Sequence, residues 1–136
     1  MGMYTEFVFA GALHDDVPDN VVAILRYLIT PSCVPLPEQL PSHPFFNTDR
    51  WDRIAVSKSC YFGYNRAHSS FVHDDINHHW MLSIRSNLKN YHAEIETFVD
   101  WVRPYIRRGS GGRDFLGYSI YEEEDAPTLY YLQEGI

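Results

Sequence analysis

Long hydrophobic runs are missing from this chain, and no apolar stretch approaches the roughly 18 residues of a membrane-spanning helix. Cysteine is scarce. Two residues, Cys33 and Cys60, make no disulfide framework, so reduced thiols in a cytoplasmic protein are the expectation. Positive charge is outweighed, with 11 Lys and Arg against 18 Asp and Glu and a formal net charge of -7. That balance argues against a general nucleic-acid or anionic-membrane binder, because such surfaces select cations that replace counterions. Met1 is followed by no basic segment of the kind that opens a secretory signal. The sequence holds no HExxH, paired CxxC, P-loop or G-x-S-x-G elbow. No catalytic residue, metal ligand or cofactor is assigned, and the chain reads as a non-enzyme.

Apolar material is plentiful. The 136 residues are 45% hydrophobic and 15% aromatic, with 10 tyrosines, which suits a single domain over 1–136 with a core that needs no staples. Thr5, Phe7 and Phe9 share one side of a first strand, which Gly11 is expected to end. A helix follows, with Asp16 as N-cap, Pro18 in its first turn and Asp19 favourably placed against the dipole. Its apolar face is Val21, Ile24, Leu25 and Leu28, and Pro31 stops it. Five prolines between Pro31 and Pro44 forbid a central strand or long helix there. Leu36, Leu40, Phe45, Phe46 and Trp51 are too apolar for a free linker, so about 31–53 reads as an ordered loop packed over the domain. Such a loop either covers core or carries function.

Ile54 to Tyr64 alternates as a second strand, Asn65 to Asn77 reads as a polar loop, and Trp80 to Arg85 forms a third strand. A second helix, with Asn90 as N-cap, shows Ile95, Phe98, Val99 and Val102 on one face. Phe115 to Tyr121 and Thr128 to Gln133 form a closing hairpin around Asp125-Ala126-Pro127. A weak internal repeat underlies this order. Phe7-Val8-Phe9 and Leu82-Ser83-Ile84 each lead through a leucine into a capped helix, and Tyr61-Phe62-Gly63-Tyr64 echoes Phe115-Leu116-Gly117-Tyr118. The expected fold is α+β. It is a ferredoxin-like two-layer sandwich, β-α-β-β-α-β plus an extra C-terminal strand, with an antiparallel sheet and both helices on one face.

Several stretches carry a family resemblance. They are Met3-Tyr4-Thr5-Glu6-Phe7, His43-Pro44-Phe45-Phe46, Leu88-Lys89-Asn90-Tyr91, Phe115-Leu116-Gly117-Tyr118, Tyr121-Glu122-Glu123-Glu124 and Pro127-Thr128-Leu129. In these the chain resembles a family of small proteins, usually labelled hypothetical, encoded by tailed bacteriophages and prophages of the mycobacteriophage kind. The resemblance spans nearly the whole chain. It implies a small accessory phage protein working in host cytoplasm, and it transfers no catalytic residue.

Four groups of residues could carry chemistry. His68, His73, Asp74, Asp75, His78 and His79 crowd one stretch, yet neighbouring His78 and His79 would point to opposite faces of an extended chain. A solvated loop is the favoured reading; if buried or at an interface, these histidines would make assembly respond to pH near 6. Arg107, Arg108 and Arg113 flank a Gly-rich turn that could hold an anion, with Trp51 or a tyrosine stacking on a base. The same arginines also suit a helix C-terminus. Glu122 to Asp125 reads as a solvated hairpin end. Tyr61, Tyr118, Tyr121, Tyr130 and Tyr131 fall on strands of a sheet whose helix-free face must find other cover, either a second copy or the Pro-rich loop. The expected function is protein–protein binding through a homodimer, with an unknown host protein as further partner. The alternative is a module that sequesters a small anionic ligand such as a nucleotide signal.

Overall fold

The computed structural model describes residues 3–59, 67–109 and 114–133. Five strands form one antiparallel sheet in the order β2-β3-β1-β4-β5. They are β1 Thr5–His14, β2 Ser70–Asp74, β3 His79–Leu88, β4 Phe115–Tyr121 and β5 Thr128–Tyr131. Two helices, α1 Asp19–Ile29 and α2 Glu94–Val102, complete an α+β architecture. None of the described helices is long and apolar enough to cross a membrane.

β1 is the centre of the sheet, pairing over ten residues with β3 and over five with β4. Its alternation turns Thr5, Phe7, Phe9 and Leu13 inward, all buried. Gly11 does not end the strand. It lies within the inward series, and the Ile106 side chain occupies the space where its own would be, with Cδ1 3.0 Å from an ideal Cβ. Ile106 also bridges to Leu13, so the chain beyond α2 extends the ladder that keeps β1 straight to His14.

Both helices cover the same side. Val21, Ile24, Leu25 and Leu28 of α1 and Ile95, Phe98, Val99 and Val102 of α2 are buried in one core, as their spacing predicts. The Phe98 ring meets Phe7 and Phe9 edge-on at 6.0 and 5.7 Å. The helix starts differ from expectation. Pro18, not Asp16, is the N-cap of α1, and no side chain caps it. A residue before proline is held extended, which keeps Val17 out of the helix and defers its start to Asp19. At α2 the cap position is Ala93, with φ +58. Asn90 still serves the helix from upstream, accepting from the Ile95 N–H at 2.8 Å.

The Pro-rich segment packs on the helix side. Its 3-10 turn, Pro44–Asn47, inserts Phe45 and Phe46 into the core, with Phe45 stacked on Trp101 at 5.8 Å. Fully buried Glu94 fastens the segment to α2. One of its oxygens accepts from the Arg50 backbone N–H and the other from that of His92, each at 3.0 Å.

The second strand is the main departure from the sequence reading. Ile54 and Ala55 are buried, yet they sit in a turn that follows the 3-10 turn Trp51–Arg53. Residues 60–64 of the expected strand lie outside the described residues. β2 instead comes from the stretch taken as a polar loop. Only Phe71 and His73 of its five residues pair with inward-facing partners on β3, Leu82 and Trp80, so a short edge strand carries little apolar alternation.

Candidate functional site

Register divides the sheet cleanly, because paired residues of an antiparallel ladder share a face and alternate along each strand. With Phe7 and Phe9 turned toward the helices, Glu6, Val8, Ala10 and Ala12 face the other way. Their partners on β3 are Asn87, Arg85, Ser83 and Met81, and on β4 Ile120 and Tyr118 stand beside Glu6 and Val8. Val72 on β2 and Leu129 on β5 continue the face to both edges. Val72, Met81 and Leu129 are about half exposed, at 55%, 48% and 49%. Ala10, Ser83 and Arg85 are exposed between them, whereas Asn87 at one end is buried. The open part therefore carries exposed apolar side chains toward both edges, with Ala10, Ser83 and Arg85 exposed between them.

Tyrosines distribute unevenly over the two faces. Tyr118 lies on the open face, where its hydroxyl donates to Glu6 Oε1 at 3.3 Å. Burial and the Glu6 carboxylate push that phenol up from its ordinary value. Tyr131 is near it at the edge, its ring 5.4 Å from exposed Phe115. Tyr130 does not face outward. It pairs with Gly117, is 8% exposed, and meets Phe7 edge-on, with its hydroxyl 2.8 Å from that of Ser119. Tyr121 pairs with inward-facing Thr5, so it too belongs to the helix side. Tyr61 lies outside the described residues.

The anion-binding candidates do not converge. Arg107 and Arg108 share an open cleft of about 400 Å³ with Ala12 and Gly109. Arg107 Nη1 donates to His79 Nδ1 at 2.9 Å, and Arg108 Nε donates to the Gln133 side-chain oxygen at 2.9 Å. Trp51 is not in that cleft; it packs among Tyr27, Phe45 and Phe46. Arg113 lies outside the described residues. A base would thus have no tryptophan beside the guanidinium groups.

The histidine-rich stretch is the β2–β3 hairpin. Among the described residues no group of three or more His, Cys, Asp or Glu side chains is placed to hold a metal ion. Asp74 caps the connection instead, accepting from the Ile76 and Asn77 backbone N–H groups and from the Asn77 side-chain amide. These donors, the Asn77 side chain foremost, lower its carboxyl from 3.8 to about 2. A depressed pKa means the cap is complete above 3.8 and weakens only as pH falls through about 2. The Ile76 and Asn77 amide resonances are therefore expected to hold their positions from neutral pH to about pH 3 and then move together. Movement centred on pH 4 would show a carboxylate that accepts no such bonds.

Comparisons against protein-family models, curated proteins and solved structures returned no match. Function is thus argued from this surface alone. Sequence reading missed most of it: Val8, Ala10, Val72, Met81 and Leu129 carry no motif. The one available signal is their position between the buried residues of each strand, legible once register is known.

Proposed function

We propose that this protein acts by protein–protein binding rather than catalysis, pairing its open sheet face with the same face of a second copy. The carrying observation is the set of exposed apolar residues Val72, Met81, Phe115 and Leu129 on the sheet face opposite α1 and α2. Two features favour a second copy as occupant. The face is about 24 Å across five strands and up to about 33 Å along the longest, on the scale of the roughly 800 Å² per partner that stable interfaces bury. Its relief is also self-complementary. Val72 and Met81 stand level with Ala12, and Tyr118 and Leu129 level with Val8, on either side of low Ala10 and Ser83, so a two-fold operation about that centre can set one apolar row against the other.

The strand order supports a finer reading of the fold, a ferredoxin-like β-α-β-β-α-β unit over β1 to β4 with β5 added beside β4. The family resemblance supports an accessory phage role in host cytoplasm. There the acidic chain would suit a host protein with basic patches.

Light scattering at micromolar concentration is expected to give twice the 15.9 kDa of the chain. Met81→Glu and Leu129→Glu place charges at exposed positions that a folded monomer tolerates. In the dimer each would be buried without a partner, weakening association by about 100-fold or more. A mass of 15.9 kDa for the unaltered protein across the concentration range would sink the proposal.

A further inference from the structure

His73 occupies an unusual position for an imidazole near the surface. Its Nε2 lies 2.6 Å from Asp15 Oδ1 in the turn between β1 and α1, 58 residues away. Its Nδ1 lies 2.5 Å from Asp75 Oδ1 in the β2–β3 connection. Ionised carboxylates only accept, so each ring nitrogen must carry a proton, and the ring is an imidazolium. A neutral ring has a single N–H. On losing a proton it must give up one of the two bonds and turn a lone pair toward a carboxylate. We infer that His73 is a proton-operated clamp that ties the β2–β3 hairpin to the β1–α1 turn, and that its deprotonation loosens edge strand β2.

The surroundings favour this two-state behaviour. The His73 ring packs edge-on to Trp80 at 4.8 Å, and Phe71 stacks on the same indole at 4.7 Å. The ring is thereby held in the plane that reaches both aspartates. Bonds to Asp15, then to Asp75, raise its pKa above 6.5. The other charged groups facing it come from each neighbouring element. α1 supplies Arg26, whose guanidinium lies 5.2 Å from the Trp80 ring centroid. β1 ends in exposed His14 and the β1–α1 turn supplies exposed Asp16, on either side of Asp15. The hairpin adds exposed His78, and Asp74 and His79, which are 3.9 Å apart on the opposite face of the sheet. Carboxylates dominate this end of the molecule, so the proton removed from His73 exposes Asp15 and Asp75 to one another's repulsion.

The sign follows from the raised value: the clamp is complete below pH 6.5 and is lost as pH climbs through the His73 midpoint. Its effect is local. Asp75 is 91% exposed at its side chain, and exposed ion pairs add little to global stability. Among the described strands β2 pairs with β3 alone, however, and elements held along one edge open first.

Two measurements test the clamp, neither dependent on self-association. Ring resonances of His73 followed by NMR between about pH 5 and 9 are expected to show a midpoint above 6.5. Amide exchange, corrected for its intrinsic pH dependence, is expected to show protection across Ser70–Asp74 falling several-fold through that midpoint while Phe7 to Phe9 stay unchanged. Asp15→Asn and Asp75→Asn remove one carboxylate each at exposed positions, and each should lower the midpoint and shift the fall in protection with it. A midpoint at or below 6.5, β2 protection indifferent to pH, or a fall in the variants at the pH of the unaltered protein would overturn the inference.

Discussion

Gly117→Ala is expected to cost about 4 kcal/mol or more, the range reserved for a change the backbone cannot absorb. Gly117 has φ +156, and an ideal Cβ there would lie 1.9 Å from the Val8 carbonyl oxygen and 2.8 Å from Phe9 Cα. Both are backbone atoms of central strand β1, so no rotamer change relieves the clash. Separating β1 from β4 would break the pairing Phe9↔Gly117 and its neighbours. A chain of this size has roughly 5–15 kcal/mol in total, so the variant should be largely unfolded or recovered only at low temperature. Gly11→Ala is the internal control. Its Cβ would meet the tip of the Ile106 side chain at 3.0 Å, which can give way, for a cost of about 1–3 kcal/mol. Urea unfolding of the two variants should rank Gly117 far below Gly11; equal midpoints would refute the close approach of β4 to β1.

Phe45→Ala is the second large effect, expected at about 3–5 kcal/mol and a fall in Tm of about 10 °C or more. Phe45 is fully buried, with the Phe46, Phe98 and Trp101 rings at 4.9, 5.3 and 5.8 Å and Trp51 at 6.0 Å. Its removal opens a cavity where the Pro-rich segment, α2 and the sheet meet. Leu36, in the same segment but 44% exposed, should change stability by about 0.5 kcal/mol or less when cut to alanine. Differential scanning calorimetry separates the two. A Phe45→Ala curve matching that of Leu36→Ala would mean that the segment is a loose cover rather than part of the core.

The dimer proposal and the core share one origin. Rings and aliphatic side chains fill the helix side, and on the reverse face Val72, Met81 and Leu129 are left about half exposed among the described residues. Tyr130 illustrates how finely this is divided. One residue from Leu129, it is in the core, with its hydroxyl satisfied by Ser119, while Leu129 is half exposed on the reverse face. The Tyr130 phenol is pushed up by that burial.

Both helices were legible from spacing alone, since every third or fourth residue must be apolar when one stripe is buried. The inward set of β1 was legible for the same reason with a period of two. The edge strand was not. Ser70–Asp74 is short, polar and paired on one side, so its identity rests on a partner strand and on an aspartate that closes the turn. The expected second strand is absent over 54–59, where Ile54 and Ala55 are buried from a turn, and burial alone does not distinguish a turn from a strand.

Composition and periodicity thus determined the class of this protein, its two helices, its central strand and its acidic, tyrosine-rich character. Those features depend on neighbours three or four residues away, which the chain states directly. Which residues share the open face, and that His73 reaches Asp15, was decided by register and by contacts up to 118 residues apart. A one-residue shift in pairing would move every strand side chain to the other face. Long-range packing excludes that shift, because it would turn Phe7, Phe9 and Leu13 away from both helices.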